Sequence, residues 1–309
     1  MRFLCKNRNL KIPPAWLKSH SGRKEDGSSM DAQRRKELER TAMQIRITGL
    51  KMVQNAHSGH IGGAFSLSEI MSVLYFDKMN IRPEEPDWED RDRFVLSKGH
   101  ATVALYPTLA LRGYFDVEIL KTFRKADGHL SGHAEMRHVP GVDMSTGSLG
   151  QGFSTAVGMA LAGRVSKKDY YTYAILGDGE IQEGQIWEAC MYAGGHGLDH
   201  LIAILDCNKV QLDGTVREVL DTGDLRAKFE SFGFHTQRVD GHNVADVARA
   251  IDICKATPGR PHMIIADTVK GKGVSFMEGR CAWHGKTPND EQFALAFADL
   301  EAVAKEVEK

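Results

Sequence analysis

The chain has 309 residues, 42% of them hydrophobic, enough for one large α/β core or two small ones. Its 40 Lys plus Arg are balanced by 41 Asp plus Glu, so no net field recruits nucleic acid or an anionic membrane. No stretch is long and apolar enough to span a bilayer. The five cysteines are odd in number, scattered and never CxxC, which points to reduced thiols in a cytoplasmic protein rather than a disulfide framework or a zinc site.

Residues 1–29 are basic, rich in Pro, Gly and Ser, and lack both periodicity and the apolar run of a signal peptide. They read as disordered, or as an over-long start whose true initiator is Met30; residues 30–309 read as a single domain. From Asp31 the pattern is helical, with Leu38, Ala42, Ile45 and Leu50 near one face. A second helix is expected over 66–78, capped by Ser66 or Ser68, then a short strand in "RFVLSKGH" (93–100) and helices over 102–113 and 150–165. Beyond these, apolar strands alternate with helices. "YTYAILG", "HLIAILD", "FHTQRVDG" and "HMIIADTV" are the strands; 184–197, 244–257 and 290–308 are helical. Continuous apolar strands separated by helices predict a doubly wound, mostly parallel α/β sheet with helices on both faces.

In such sheets ligands bind beyond the carboxyl ends of the strands. Asp178, in "LGDGE", and Asn208, in "LDCNK", both fall there, so two hard oxygen donors converge, and a carbonyl from the following turn can complete a sparse Mg²⁺ site. Gly177 and Gly179 remove side chains beside Asp178 and let a phosphate approach the backbone. The helix starting near Gly184 turns free N–H groups and a positive dipole end to an anion. Taken alone, Gly-Asp-Gly is also an ordinary strand-to-helix turn. A dinucleotide fingerprint fails, because no GxGxxG opens a helix and Glu180 would repel a pyrophosphate placed as in that motif.

The segment "LGDGEIQEGQIWEA…LDCNKVQLDG" resembles the thiamine diphosphate motif in its transketolase version. "NAHSGHIGGAFSLSEIM", "DRFVLSKGHATVALYPTLALRGY", "GHAEMRHVPGVDMSTGSLGQGFSTAVGMALA" and "KGKGVSFMEG" agree, so the similarity runs from about Lys36 to about Asp290. The resemblance implies the following roles. Asp178, Asn208 and the carbonyl of Val210 hold Mg²⁺ or Ca²⁺; Gly147, Gly177 and Gly179 lie at the cofactor; Leu149 and Leu212 touch its rings. His60, His100 and His133 match the family's active-site histidines, with His100 nearest the diphosphate, and His284 in "AWHGKTP" adds a weaker match. Glu183 and Glu188 match carboxylates of the family's dimer interface, with Ile186, Trp187 and Met191 as their apolar neighbours. Ketol transfer forms alkoxides and moves hydroxyl protons, which is work for groups that titrate near neutral pH. His57, His129, His138, His196 and His200 read instead as capping or core residues.

Full-length transketolases have three domains, and this chain resembles only the first. The glutamate that activates the cofactor's aminopyrimidine lies in the second domain, as do most sugar-phosphate contacts. The resemblance therefore implies the N-terminal subunit of a split transketolase, completed by a C-terminal subunit in an α₂β₂ heterotetramer. The alternatives are a related ketol transferase or synthase acting on an unusual sugar phosphate, and a noncatalytic cofactor-binding module.

Overall fold

The structure is a computed structural model that describes residues 30–308. The expectation about residues 1–29 lies outside the described residues. Five parallel strands form one sheet in the order β1-β2-β3-β5-β4, with β1 at Arg93–Leu96, β2 at Thr172–Gly177, β3 at Leu201–Cys207, β4 at His235–Asp240 and β5 at His262–Asp267. The central strands are apolar on both faces because both faces are covered. Val95, Ala174, Leu176, Ala203, Leu205 and Ile265 point into one core with Phe153 and Ile186. Their alternate neighbours Phe94, Leu96, Tyr173, Ile175, Ile204 and Ile264 are equally buried on the other face. Only β4, at the sheet edge, alternates between buried and exposed positions, as its mixed sequence "HTQRVD" requires.

The first helix, α1 (Ala32–Ala56), is capped by Asp31, whose carboxylate accepts the Arg34 N–H, and it ends at His57 in the left-handed conformation. A short helix α2 (Gly62–Phe65) precedes the expected second helix, which runs as α3 (Ser68–Val73) and continues into a π-helical turn over Leu74–Lys78. Neither serine caps it. The Ser66 hydroxyl is spent on the carboxylate of Asp206 at 2.7 Å, a contact across 140 residues that no local rule anticipates. The strand in "RFVLSKGH" stops at Leu96. Helices α4 (Thr102–Arg112), α5 (Gln151–Val165) and α6 (Gly184–Gly195) stand where the sequence pattern puts them. Short α7 (Val216–Leu220) and α8 (Leu225–Ser231) are additions to that pattern, and α9 (Val244–Lys255) and α10 (Asp290–Glu308) complete the chain. Among the described residues no helix is long and apolar enough to cross a membrane. Cys190, Cys207 and Cys254 are buried, Cys281 is half-buried, and all four are free.

Candidate active site

The carboxyl ends of β2 and β3 are stitched together by backbone. The Asp178 N–H donates to the Asp206 carbonyl at 3.2 Å, so the chain leaves both strands at the same level. Asp178, 4% exposed, has one carboxylate oxygen on the Gly179 N–H at 2.9 Å and the other on the N–H of Lys209, the residue after Asn208. Asn208, also buried, accepts the Val210 N–H on its side-chain oxygen at 3.1 Å. Its amide nitrogen donates to Asp206 at 2.9 Å, which fixes which end of the amide is the acceptor. The Val210 carbonyl accepts from Lys270 Nζ at 3.1 Å. Each of these oxygens keeps a lone pair. Burial, then the neighbouring Asp206, push the Asp178 carboxyl up to about 7. The backbone N–H groups of Lys209 and Gly179 pull the other way, and the donor set of carboxylate, amide oxygen and carbonyl suits a hard divalent ion.

The glycines of the motif are needed for space. A methyl group on Gly179 would lie 3.0 Å from Gln211 Cβ, and one on Gly147 would lie 3.2 Å from the His133 ring. Gly177, buried at the end of β2, lends its N–H to Glu180. Glu180 is turned inward, accepting from Ser97 Oγ at 2.5 Å, Gly150 N at 2.9 Å and Gly177 N at 3.0 Å. It ties the start of α5 to the ends of β1 and β2, with both carboxylate oxygens engaged inside the fold.

All four predicted histidines come together. Ring centroids are 5.4 Å apart for His60–His100, 6.1 Å for His60–His133, 5.8 Å for His60–His284 and 5.0 Å for His100–His284. They arrive from four separate loops, so only the fold assembles them. Arg124 donates to His60 Nδ1 at 3.0 Å, and Lys270 Nζ donates to His284 Nδ1 at 2.9 Å. Both nitrogens therefore accept, which places the ring protons of His60 and His284 on Nε2 as hydrogen-bond donors. Burial, then Arg124, His133 and Lys270, lower His60 to about 4. Burial and the nearby Lys270 likewise lower His284 to about 4, and His100 falls well below its ordinary value through burial and Lys98. All three are neutral at physiological pH, and His60 and His284 are donors through Nε2. Ring-nitrogen NMR of the isolated chain is expected to show His60 and His284 neutral from pH 8 down to about 5, with protonation only on approaching pH 4. A midpoint near 6.5 for either ring would break this assignment of protons.

Of the residues expected at the cofactor rings, Leu149 is half-buried and Leu212 is 60% exposed. Glu183 and Glu188 are both exposed on this chain, Glu183 as the N-cap residue of α6. Their supposed apolar neighbours need correction. Ile186 lies in this chain's own core, and Trp187 packs on Phe229 and Phe232 with its N–H on the Ile181 carbonyl; only Met191, 64% exposed, faces outward with Tyr192, 42% exposed.

Sequence reasoning missed four residues that build the site. Asp206 is 0% exposed, with Lys98 Nζ, Thr268 Oγ1, Ser66 Oγ and the Asn208 amide all donating to it. Lys98, 2% exposed, also donates to the Gly63 carbonyl at 2.7 Å. Lys270, 1% exposed, links Val210 to His284, and Arg124 sets His60. The readable signals were an aspartate inside an otherwise apolar strand and lysines within Gly-flanked turns.

A buried carboxylate and amide at two adjacent strand ends, joined through Lys270 to a cluster of four histidines, define a cofactor-binding α/β enzyme. The family model described as "Transketolase, thiamine diphosphate binding domain" matches residues 38–300. The chain belongs to the transketolase family, as its motifs indicated. It is 47% identical over 265 residues to the 6-deoxy-6-sulfo-D-fructose transketolase subunit SqwG of Clostridium sp. (strain MSTE9), covering 86% of this chain and 96% of that protein. It is 40% identical to an apulose-4-phosphate transketolase subunit of Phocaeicola vulgatus, covering 84% of this chain and 92% of that one. Among solved structures, transketolase from Campylobacter jejuni superposes with a TM-score of 0.82 at 33% identity, over 90% of this chain and 46% of that chain. The chain thus spans under half the length of that solved transketolase.

Proposed function

We propose that this chain is the N-terminal subunit of a two-subunit transketolase, transferring a two-carbon ketol unit between sugar phosphates. The observation that carries this reading is that Lys270 joins the Val210 carbonyl, in the turn that holds Asp178 and Asn208, to His284 and so to the cluster of His60, His100 and His133 beyond the strands' carboxyl ends. Asp178, Asn208 and the Val210 carbonyl would hold Mg²⁺ or Ca²⁺, with so few protein oxygens that phosphate and water complete the shell. Gly147, Gly177, Gly179 and His100 would accommodate the diphosphate, and Leu149 and Leu212 the cofactor rings. Thiamine diphosphate, when bound, supplies the carbon nucleophile that cleaves and remakes the carbon–carbon bond.

The chain's own part is to bind, orient and manage protons. His60 and His284, held as Nε2–H donors, are placed to stabilise oxyanion character on sugar oxygens and to return protons to them. His133 is fixed through its backbone, whose carbonyl accepts the Tyr106 hydroxyl at 2.8 Å, and sits beside His60. Glu183 and Glu188, with exposed Met191 and Tyr192, form the face on which α6 would meet another subunit. The partner would be a C-terminal transketolase subunit carrying the pyrimidine-binding and C-terminal domains, in an α₂β₂ assembly. Free cysteines fit a cytoplasmic setting.

The SqwG protein and its Phocaeicola counterpart are named for less common sugars, a sulfonated fructose and apulose 4-phosphate, and this favours a second reading of the same chemistry on an unusual sugar phosphate. The test is ketol transfer by the chain alone and by the complex captured on a tagged copy. Xylulose 5-phosphate and ribose 5-phosphate would be supplied first, with cofactor and Mg²⁺. Activity is expected only in the complex; turnover by the chain alone would refute the split-subunit reading. A cofactor-binding complex inactive on these sugars would favour the second reading.

A further inference from the structure

A second cluster of ligating side chains lies at the opposite end of the strands, where β4 and β5 begin. His235 opens β4, His262 opens β5 in register with it, and Cys254 sits in the last turn of α9. One ligand atom from each lies within 4.8 Å of the other two. These strands are parallel to β2 and β3, so their amino ends lie roughly 20 Å of strand away from the level of Asp178 and Asn208. We propose that His235, Cys254 and His262 form a binding site for a zinc-class divalent metal, separate from the catalytic cation and fastening α9 to the edge of the sheet.

The geometry supports coordination over a simple contact. The two Nδ1 atoms face each other at 3.4 Å. That is long for a hydrogen bond between rings, and it matches the roughly 3.3–3.4 Å separating two nitrogens each ~2.0–2.1 Å from a tetrahedral ion. The rings stand nearly perpendicular, at 83°. His262 is 0% exposed and its Nε2 has no hydrogen-bond partner of good geometry, though the Asp199 backbone acts on the ring. Burial and His235 lower His262 to about 4, so the imidazole offers a lone pair at neutral pH. Cys254 Sγ accepts from the Gln237 side-chain amide at 3.3 Å, an outer contact of the kind that supports a ligating thiolate. Burial pushes the Cys254 thiol up to about 12, so it is protonated without metal; coordination replaces that proton, which leaves to solvent. His235 is only half-buried, which leaves an entry path and a fourth position for water. Two imidazoles and one thiolate select zinc-class metals over Mg²⁺ or Ca²⁺.

The experiment uses the full chain stripped with a chelator and titrated with Co²⁺ as a spectroscopic probe, with Zn²⁺ as competitor. Wild type is expected to take up one equivalent with thiolate-to-cobalt charge-transfer absorption, which Zn²⁺ then quenches. Cys254→Ser should remove that absorption, and His235→Ala, a half-buried position suited to substitution without unfolding, should weaken Co²⁺ binding roughly tenfold or more. Asp178→Ala should leave the absorption intact, which separates this site from the catalytic one and from the transketolase reading. No charge-transfer absorption in wild type, its persistence in folded Cys254→Ser, or undiminished affinity in His235→Ala would each overturn the proposal.

Discussion

Asp178→Ala is expected to lower the affinity of the assembled enzyme for thiamine diphosphate and Mg²⁺ by tens- to thousands-fold while the sheet stays folded. Asp178 is the only formally charged ligand assigned to the cation, and removing one partner of a buried charge pair costs roughly 2–5 kcal/mol, which is that range of affinity. The folded state should survive because this carboxylate is not a stabilising feature of the empty fold. Burial and Asp206 raise its pKa to about 7, above its ordinary value. For an acid raised on folding, the ionised form is penalised: the cost is absent below the unfolded pKa and complete above the folded one. Alanine removes that cost along with the N–H contacts to Gly179 and Lys209, so the two changes offset. Calorimetric titration of cofactor, with circular dichroism as the control for folding, measures both. Unchanged affinity in a folded variant would overturn the assignment of Asp178 to the metal.

The second large effect is structural. Lys98→Met should destabilise the chain by about 3–5 kcal/mol, because it strands a fully buried Asp206 without its cation. In a chain of this size that corresponds to a fall in Tm of roughly 5–15 °C. Burial pushes Asp206 up, but Lys98 and the hydrogen bonds from Lys98, Thr268 and Ser66 hold it below the ordinary aspartate range. For such a depressed acid the stabilisation is present above the unfolded pKa, near 3.8, and is lost as pH falls through the folded value. The gap between wild type and Lys98→Met should therefore narrow as pH falls, first as the stranded Asp206 of the variant takes up a proton and last, in strong acid, as the wild-type carboxyl does. Asp206→Asn added to Lys98→Met removes the stranded charge and should recover at least about 1 kcal/mol, as expected for residues in direct contact. Melts across this series check it. A single variant as stable as wild type would show that the pair is not the clamp it looks like. Because Asp206 also holds the Asn208 amide, the single variant should bind cofactor more weakly even where it remains folded.

Some of this was legible because it is local. The alternation of apolar strands with helices comes from burial on both faces, and the strand limits around "YAILG" and "IAILD" follow from where the apolar run stops. Asp178 and Asn208 were found because their position after a strand is a sequence property. The expected helix over 66–78 forms from Ser68 onward, but its serine cap does not, for a non-local reason: Ser66 bonds to Asp206 instead. Trp187 and Ile186 read as interface residues because helical spacing gives a stripe but not what faces it; here the facing groups are Phe229, Phe232 and the sheet.

The sequence by itself determined the parallel α/β fold, the family, and the identity of the residues at the strand ends, because periodicity, turn residues and motif spacing are short-range. The tertiary structure alone decided which distant groups act on one another. It turned Glu180 inward onto Ser97, Gly150 and Gly177, bonded Lys98 to Asp206 across 108 residues, and set His60 and His284 as Nε2–H donors through Arg124 and Lys270. It also gathered His235, Cys254 and His262, where cysteine spacing had argued against a zinc site, because a ligand cluster drawn from two strands and a helix leaves no spacing signature in the chain. Charge state and hydrogen-bond polarity depend on burial and on neighbours in space, and neither exists until the chain has folded.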